Sequence, residues 1–231
     1  MSSSNQPAIG VESRQAQPEQ TSSEQTSSEP RRSGFACLVG RPNVGKSTLT
    51  NALVGQKVAI TSSRPQTTRH AVRGVVNRPE GQLVLVDTPG LHRPRTLLGR
   101  RLDDLVRATL SEVDVVVMCL PADETIGPGD HYLARTLAAA GTRPVVAAVT
   151  KTDRVDRARL LPVLAAVEAL GAAEGVEFAH IVPVSAVAGD QVELLADLLV
   201  RLLPVGPPLF GEDQLTDEPD QVMVAELVRE A

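Results

Sequence analysis

The chain contains 231 residues with a formal net charge of −5, and 42% of them are hydrophobic but only 2% aromatic. The negative charge argues against a protein that covers nucleic acid by bulk electrostatic attraction. The longest apolar run, VVVMCL, is far too short to span a bilayer. Cys37 and Cys119 both lie in apolar runs, which predicts buried thiols in a reducing cytosol rather than a disulfide.

Residues 1–33 differ in composition from the rest of the chain. They are rich in serine, glutamine, glutamate and proline, and they contain the near-repeat QTSSEQTSSE. Such a segment cannot bury enough apolar surface to order itself, so residues 1–33 are predicted to be a disordered tail. Because the tail has no apolar central run, we do not expect it to be a signal peptide.

From residue 34 onward, valine-rich apolar runs alternate with segments of helical periodicity. Strands are predicted at 35–39, 71–77, 82–86, 113–120, 144–149 and 178–184, and helices at 46–55, 97–110, 129–140, 157–170 and 191–203. Continuous apolar strands alternating with helices are typical of a parallel sheet covered on both faces. The short connection RPEG makes a hairpin and adds one antiparallel edge strand. Pro162 is expected in the first two turns of its helix.

The segment GRPNVGKST connects the first strand to the first helix. Gly40 and Gly45 allow the backbone to curl so that several N–H groups point inward, and the helix adds its positive N-terminal end. Lys46 would reach the outer phosphates of a polyphosphate, and the Ser47 hydroxyl would ligate Mg²⁺. This pattern at a strand-to-helix junction predicts an α/β domain of the P-loop NTPase class.

A phosphate loop alone does not indicate a reaction, and the segment LVLVDTPG limits the reactions that the site could perform. Asp87 ends a predicted strand, where its carboxylate can hold Mg²⁺ through water. Gly90 can offer its N–H to a terminal phosphate, and this contact disappears when that phosphate leaves. An ordinary Asp-Thr-Pro-Gly turn is the alternative explanation, but the position downstream of a phosphate loop favours the nucleotide site.

The segment VTKTD is predicted to select the base. It follows a strand at the carboxyl edge of the sheet, where such sheets bind ligands. Asp153 can accept hydrogen bonds from N1–H and the N2 amine of guanine, a donor pair that adenine lacks. The Lys151 stem can lie along the purine face. In the later segment VPVSA, the Ser185 hydroxyl can orient Asp153 and the Ala186 N–H can meet guanine O6.

The order and spacing of these four motifs resemble the GTP-binding domain of translation-factor-related GTPases. The segments SRPQTTRH, DTPGLHRPRTLLGRRL and EDQLTDEP are similar to those of the bacterial Era family, and the resemblance runs from residue 34 to the chain end. It implies a small-GTPase-like sheet and a GTPase of small-ribosomal-subunit assembly. It also implies a KH-type domain that recognises the 3′ end of 16S rRNA. In the family pattern Thr68 binds Mg²⁺ and senses the γ-phosphate, with Thr67 the weaker candidate.

The predicted site combines guanine-nucleotide contacts, metal ligands and groups for hydrolysis. The nucleotide contacts are expected from Gly40, Asn43, Val44, Gly45, Lys46, Ser47, Thr48, Asp87, Thr88, Pro89, Gly90, Thr150, Lys151, Asp153, Ser185 and Ala186. The Mg²⁺ ligands are expected to be Ser47, Thr68 and Asp87, and the catalytic groups Lys46, Thr68 and Gly90. Water would attack the γ-phosphate in line, with slow turnover, and RPQTTRH and TPGLHRPR would be the switch loops.

Asn43 stands where K⁺-stimulated relatives of the resembled family carry an asparagine. A K⁺ ion beside the β- and γ-phosphates is therefore expected to speed hydrolysis. An asparagine that only braces the loop is the alternative.

Three features depart from common GTPase patterns. Thr150 replaces the asparagine that normally braces the phosphate loop, which predicts weaker nucleotide binding. Leu91 follows DTPG where many GTPases carry a water-orienting glutamine, and His92 beside it is expected to be solvated. Residues 205–231 hold at most a connector and the first helix of a KH-type domain.

The expected organisation is therefore a tail at 1–33, a GTPase domain at 34–204 and an incomplete RNA-binding domain at 205–231. This chain alone is expected to bind 16S rRNA weakly, as a cytoplasmic monomer. Some Era proteins associate with the inner membrane, so peripheral association stays open. Two other functions stay open: a related GTPase of tRNA modification or large-subunit assembly, and a GTP-sensing module with negligible turnover.

Overall fold

The computed structural model describes residues 30–58, 72–87, 110, 112–141 and 143–211. These residues form a six-stranded sheet and four α-helices. The strands are β1 (Arg32–Val39), β2 (Val72–Arg78), β3 (Gly81–Asp87), β4 (Val115–Pro121), β5 (Val145–Thr150) and β6 (Phe178–Pro183). The helices are α1 (Lys46–Val54), α2 (Pro128–Ala140), α3 (Arg157–Glu174) and α4 (Val192–Leu202), and a 3₁₀ turn covers Thr152–Arg154.

The strand order in the sheet is β2-β3-β1-β4-β5-β6. All neighbouring strands pair in parallel except β2, which pairs with β3 in an antiparallel hairpin at the edge. The predicted mostly parallel α/β sheet with one antiparallel edge strand is therefore confirmed. In this topology β4 lies between β1 and β5, so the loop after β4 lies between the loops that follow those two strands.

Helices cover both faces of the sheet, as the continuous apolar strands predict. Alternate residues of β1 belong to opposite layers: Leu38 is buried in one hydrophobic cluster and Val39 in the other. Leucines of α1 and α4 join the first cluster, and leucines of α2 and α3 join the second. Every residue of β4 and β5 is buried, which explains their unbroken apolar sequences.

The two cysteines are buried free thiols, as predicted. Cys37 belongs to the cluster under α2 and α3, whereas Cys119 belongs to the cluster under α1 and α4. Burial, with a smaller contribution from Cys119, raises the pKa of Cys37 to about 12. The Cys37 thiol therefore stays protonated and acts as a small core side chain.

Two element ends differ from the sequence-based expectation. β1 begins at Arg32 rather than residue 35, because Arg32 pairs with Gly81 and its N–H donates to the Glu80 carbonyl. α3 contains Pro162 in its second turn and continues past residue 170 to Glu174. It ends there because Gly175 adopts a left-handed conformation with φ of 78°.

Several predicted elements lie outside the described residues. They include residues 1–29 of the tail, most of the predicted helix 97–110, and residues 212–231. None of the described helices combines the length and the apolar composition that a bilayer span requires.

Candidate functional site

The loop between β1 and α1 has the backbone conformation of a phosphate cradle. Asn43 and Gly45 have φ angles of 63° and 99°, so two residues of this short loop lie in the left-handed region. Gly40 is closely packed: a Cβ there would lie 2.8 Å from the carbonyl oxygen of Cys119. A larger residue at position 40 would therefore push the loop away from β4. Glycine is thus needed at position 45 for the curvature of the loop and at position 40 for the close approach of the loop backbone to β4.

Lys46 places its positive charge at the mouth of this loop. The residue is only 8% exposed, and its Nζ donates to the carbonyl oxygens of Gly40 at 3.3 Å and Arg41 at 3.1 Å. The loop backbone therefore holds the ammonium group in place. Because a buried ammonium is stable only beside acceptors or counter-charges, this position suits an anionic ligand.

Thr150 braces the phosphate loop from the end of β5. Its Oγ1 donates to the Val44 carbonyl at 2.5 Å and lies 3.4 Å from the Leu120 carbonyl, and the residue is 4% exposed. The sequence predicts weaker nucleotide binding here, because threonine replaces the asparagine that normally braces the loop. The hydroxyl keeps a brace because the end of β5 lies close enough to the loop for a short side chain to reach it.

The residues expected to recognise the base lie at the carboxyl ends of β5 and β6. Ser185 is fully buried, and its Oγ donates to Asp153 Oδ1 at 2.6 Å. The same Oγ accepts from the Ala188 N–H at 3.0 Å, so the hydroxyl has one defined direction in which to donate. Lys151 adopts a left-handed conformation with φ of 57° just before the 3₁₀ turn that carries Asp153. Ala186 packs against the core beside them.

Three acidic side chains, which we call the acidic clamp, also reach this site and were missed by the sequence analysis. They are Asp123, Glu124 and Asp130, at the end of β4 and the start of α2. Asp130 pairs with Arg41 of the phosphate loop, and Asp123 and Glu124 lie 3.6 Å from Lys151 Nζ. Asp130 is the third residue of α2 and its Oδ2 accepts from the Gly127 N–H, so an acidic residue in the first turn of a predicted helix was the available signal.

The backbone also fits the expected Mg²⁺ site. Ser47 is the second residue of α1, and Asp87 ends β3, paired in register with Leu38 of β1. A hydroxyl-bearing residue therefore stands in the first turn of the helix that follows β1, and a carboxylate-bearing residue ends the neighbouring strand β3. Oxygen ligands of this kind suit Mg²⁺.

The predicted site residues divide into two groups. Those that the structure brings to one edge of the sheet are Gly40, Asn43, Val44, Gly45, Lys46, Ser47, Thr48, Thr150, Lys151, Asp153, Ser185 and Ala186, with the backbone of Asp87. Thr68, Thr88, Pro89, Gly90, Leu91 and His92 lie outside the described residues.

Comparison with known proteins identifies relatives of this chain. A family model described as 50S ribosome-binding GTPase matches residues 35–151. GTPase Era of Streptomyces coelicolor is 66% identical over 200 residues, which are 87% of this chain and 63% of that relative. GTPase Era of a Nocardioides species is 60% identical over 87% of this chain and 64% of its own length.

A solved structure agrees with the sequence relatives. The crystal structure of Era in complex with MgGDPNP and nucleotides 1506–1542 of 16S ribosomal RNA matches with a TM-score of 0.79 and 36% identity. The match covers 87% of this chain and 66% of that one. This chain thus spans less than two thirds of the length of the two curated relatives.

Proposed function

This chain belongs to the family of 50S ribosome-binding GTPases, and on that premise we propose that it binds GTP with Mg²⁺ and hydrolyses it to GDP and phosphate. One observation carries the proposal. The phosphate loop with Lys46 and the Asp153–Ser185 pair lie at the same edge of one sheet, joined by the Thr150 brace. A ligand held by both ends must carry a polyphosphate at one end and a hydrogen-bonding base at the other.

Asp153 supplies the proposed choice of guanine. Its two carboxylate oxygens match the N1–H and N2 amine donors of guanine, and the Ser185 hydrogen bond fixes the plane of the carboxylate. Adenine lacks both donors and would leave the Asp153 carboxylate without these two hydrogen bonds, so the site should disfavour adenine. The Lys151 stem then covers one face of the purine.

The proposed hydrolysis depends on positioning and charge. Lys46 would hold the outer phosphates, Ser47, Thr68 and Asp87 would hold Mg²⁺, and the Gly90 N–H would contact the γ-phosphate. When bound, Mg²⁺ neutralises charge on the phosphate oxygens. Water then attacks the γ-phosphorus in line with the departing GDP oxygen, and the two switch loops are released with the phosphate.

The relatives support a role at the small ribosomal subunit. The two curated relatives are Era GTPases, and the solved relative is bound to 16S ribosomal RNA. We propose that this chain is the GTPase switch of a protein that acts in 30S assembly and 16S rRNA maturation in the cytoplasm, with peripheral membrane contact left open. RNA recognition would belong mainly to a KH-type domain, so this chain, as a monomer, should bind the 16S rRNA 3′ end weakly.

Base selectivity is the direct test of the nucleotide assignment. In a competition titration, GTP and GDP should bind far better than ATP. Asp153→Asn should shift the preference toward xanthine nucleotides, because an amide complements their exchanged donor and acceptor edge. Asp197→Asn, an exposed aspartate of α4, serves as the matched control and should leave the preference for guanine unchanged. Equal affinity for ATP and GTP would overturn the assignment.

Turnover separates a GTPase from a module that only senses GTP. We expect slow phosphate release from GTP, faster in K⁺ than in Na⁺ at equal ionic strength, because K⁺ beside Asn43 would supply a further positive charge. Asn43→Ala should remove the difference between the two salts. Tight GTP binding without turnover in either salt, or with added small-subunit RNA, would favour the sensing module.

A further inference from the structure

We infer that the acidic clamp, formed by Asp123, Glu124 and Asp130, positions the phosphate loop and the base loop relative to each other. The inference rests on the proposed function, because the two loops are those assigned to GTP. We assign the carboxylates no direct contact with the nucleotide. They act through Arg41 on one side and Lys151 on the other, and are therefore positioning residues.

The phosphate-loop half of the clamp is an ion pair between the buried Asp130 and the partly exposed Arg41. Asp130 is fully buried; its Oδ1 accepts from Arg41 Nε at 2.8 Å and its Oδ2 accepts from the Gly127 N–H at 2.9 Å. Gly129 lies under the Arg41 side chain, where a Cβ would approach Arg41 Cδ to 2.9 Å. Burial alone would lower the pKa of Arg41, but its bonds to Asp130 and Glu124 outweigh burial and raise it. Arg41 is thus fixed in direction and charge.

The base-loop half of the clamp uses the same short segment. Glu124 Oε2 lies 3.1 Å from Arg41 Nη2, while its Oε1 lies 3.6 Å from Lys151 Nζ. One carboxylate therefore bridges a residue of the phosphate loop and a residue of the base loop. Asp123 adds contacts to Lys151 at 3.6 Å and Arg154 at 3.2 Å, both in the base loop.

The topology explains why the loop between β4 and α2 can position both the phosphate loop and the base loop. The phosphate loop follows β1 and the base loop follows β5, and β4 lies between these strands. The clamp begins where β4 ends, so it can contact both neighbours without crossing the nucleotide. Arg41, Lys46 and Lys151 are all cationic and would repel one another in the absence of ligand. Carboxylates between Arg41 and Lys151 offset that repulsion and keep both loops in place before the nucleotide arrives.

Release of a fluorescent GDP from the intact chain tests the clamp. Asp130→Asn offers one acceptor oxygen for two donors, so Arg41 or Gly127 loses its partner, and GDP should dissociate about tenfold faster. Glu124→Gln changes a partly exposed pair and should speed release about twofold to threefold, less at high salt. For GTP hydrolysis, KM should rise more than kcat falls, because the clamp prepares the site rather than the transition state.

Glu174→Gln is the control for these variants. Glu174 pairs with His131 and Arg135 of α2, so its replacement loosens the same helix away from the nucleotide loops and should leave GDP release unchanged. If Asp130→Asn does not fold, Glu124→Gln and Asp123→Asn, on side chains 43% and 23% exposed, still test the inference. The inference is overturned if the folded clamp variants release GDP as slowly as Glu174→Gln. Failure of the unmodified chain to prefer GDP over ADP would instead overturn the proposed function.

Discussion

The carboxyl and amino edges of the sheet hold their loops in different ways. At the carboxyl edge the loops are held by charged side chains. Lys46 donates to backbone carbonyls, and Arg41 pairs with carboxylates of the acidic clamp. At the amino edge a neutral amide, Gln82 of β3, holds the segment that follows α4. Gln82 is 1% exposed, its Oε1 accepts from the N–H groups of Leu209 and Phe210, and its Nε2 donates to the Phe210 carbonyl and to Asn77.

The difference reflects what each edge does. The Gln82 amide is fully satisfied by groups of the chain itself, and Ser33 adds a bond to the Pro207 carbonyl, so this edge fixes the segment that follows α4. At the carboxyl edge, Lys46 is held by neutral carbonyl oxygens, which leave its charge available to the anionic ligand that we propose binds there. Substitutions at the two edges should therefore separate stability from nucleotide binding.

The largest effect on activity is expected from Lys46→Ala. Loss of the ammonium group removes the main positive charge at the phosphate loop, so GTP turnover should fall at least about 100-fold. The free energy of unfolding should change little, because a buried charge and its desolvation cost leave together. Phosphate release assays and urea unfolding measure the two quantities. Lys57→Ala, on an exposed residue after α1, is the control. An equal loss of GTP turnover in Lys57→Ala would show that turnover depends on the overall positive charge near the loop and not on the position of Lys46.

The largest effect on stability is expected from Gln82→Leu. The substitution keeps the side chain buried but leaves the amides of Leu209 and Phe210 without their acceptor, which should cost about 2–4 kcal/mol of unfolding free energy. Hydrogen exchange at these two amides should accelerate while GDP affinity stays unchanged. Gln56→Leu, on an exposed glutamine, should do neither. A large loss of GDP affinity in Gln82→Leu would show that the two edges are coupled.

An intermediate effect is expected from Thr150→Val, because the Thr150 hydroxyl connects strand β5 to the phosphate loop. The isosteric side chain removes the donor to the buried Val44 carbonyl, so stability should fall by about 1–2 kcal/mol and GDP should dissociate about tenfold faster. Thr150→Ser keeps the hydroxyl and should behave nearly as the unmodified chain. If Thr150→Val binds GDP normally, the brace supports the fold but not the site.

The smallest effect is a pH dependence outside both edges. The hydrogen bonds from His131 and, next, from Arg135 lower the pKa of Glu174 below its ordinary value of 4.5. A lowered carboxyl pKa contributes stability above the ordinary value, and this contribution is lost as the pH falls through the lower folded value. The stability difference between the unmodified chain and Glu174→Gln should therefore shrink below pH 4.5. Urea unfolding between neutral and acid pH measures it; a constant difference would contradict the pairing.

The fold followed from the sequence because its signals are local. Unbroken valine runs in β4 and β5 indicate strands buried on both faces, and the glycine spacing around Lys46 indicates a strand-to-helix turn. The start of β1 was less accessible, because Arg32 is held by Gly81 and Glu80, which are distant in sequence. Local composition suggested a tail there, and long-range pairing overrode it.

For the site, the sequence by itself determined which residue types stand at the strand ends, and with them the expected ligand chemistry. Only the tertiary structure decided which groups touch. It brought Thr150 to the Val44 carbonyl, and Asp130, 89 residues away in sequence, to Arg41. Spacing along a chain cannot report such pairs, because a hydrogen bond depends on distances of a few ångströms set by the packing of separate strands and helices. The motifs therefore indicate the ligand chemistry of the carboxyl edge, whereas the packing of strands and helices determines which contacts hold its loops in place.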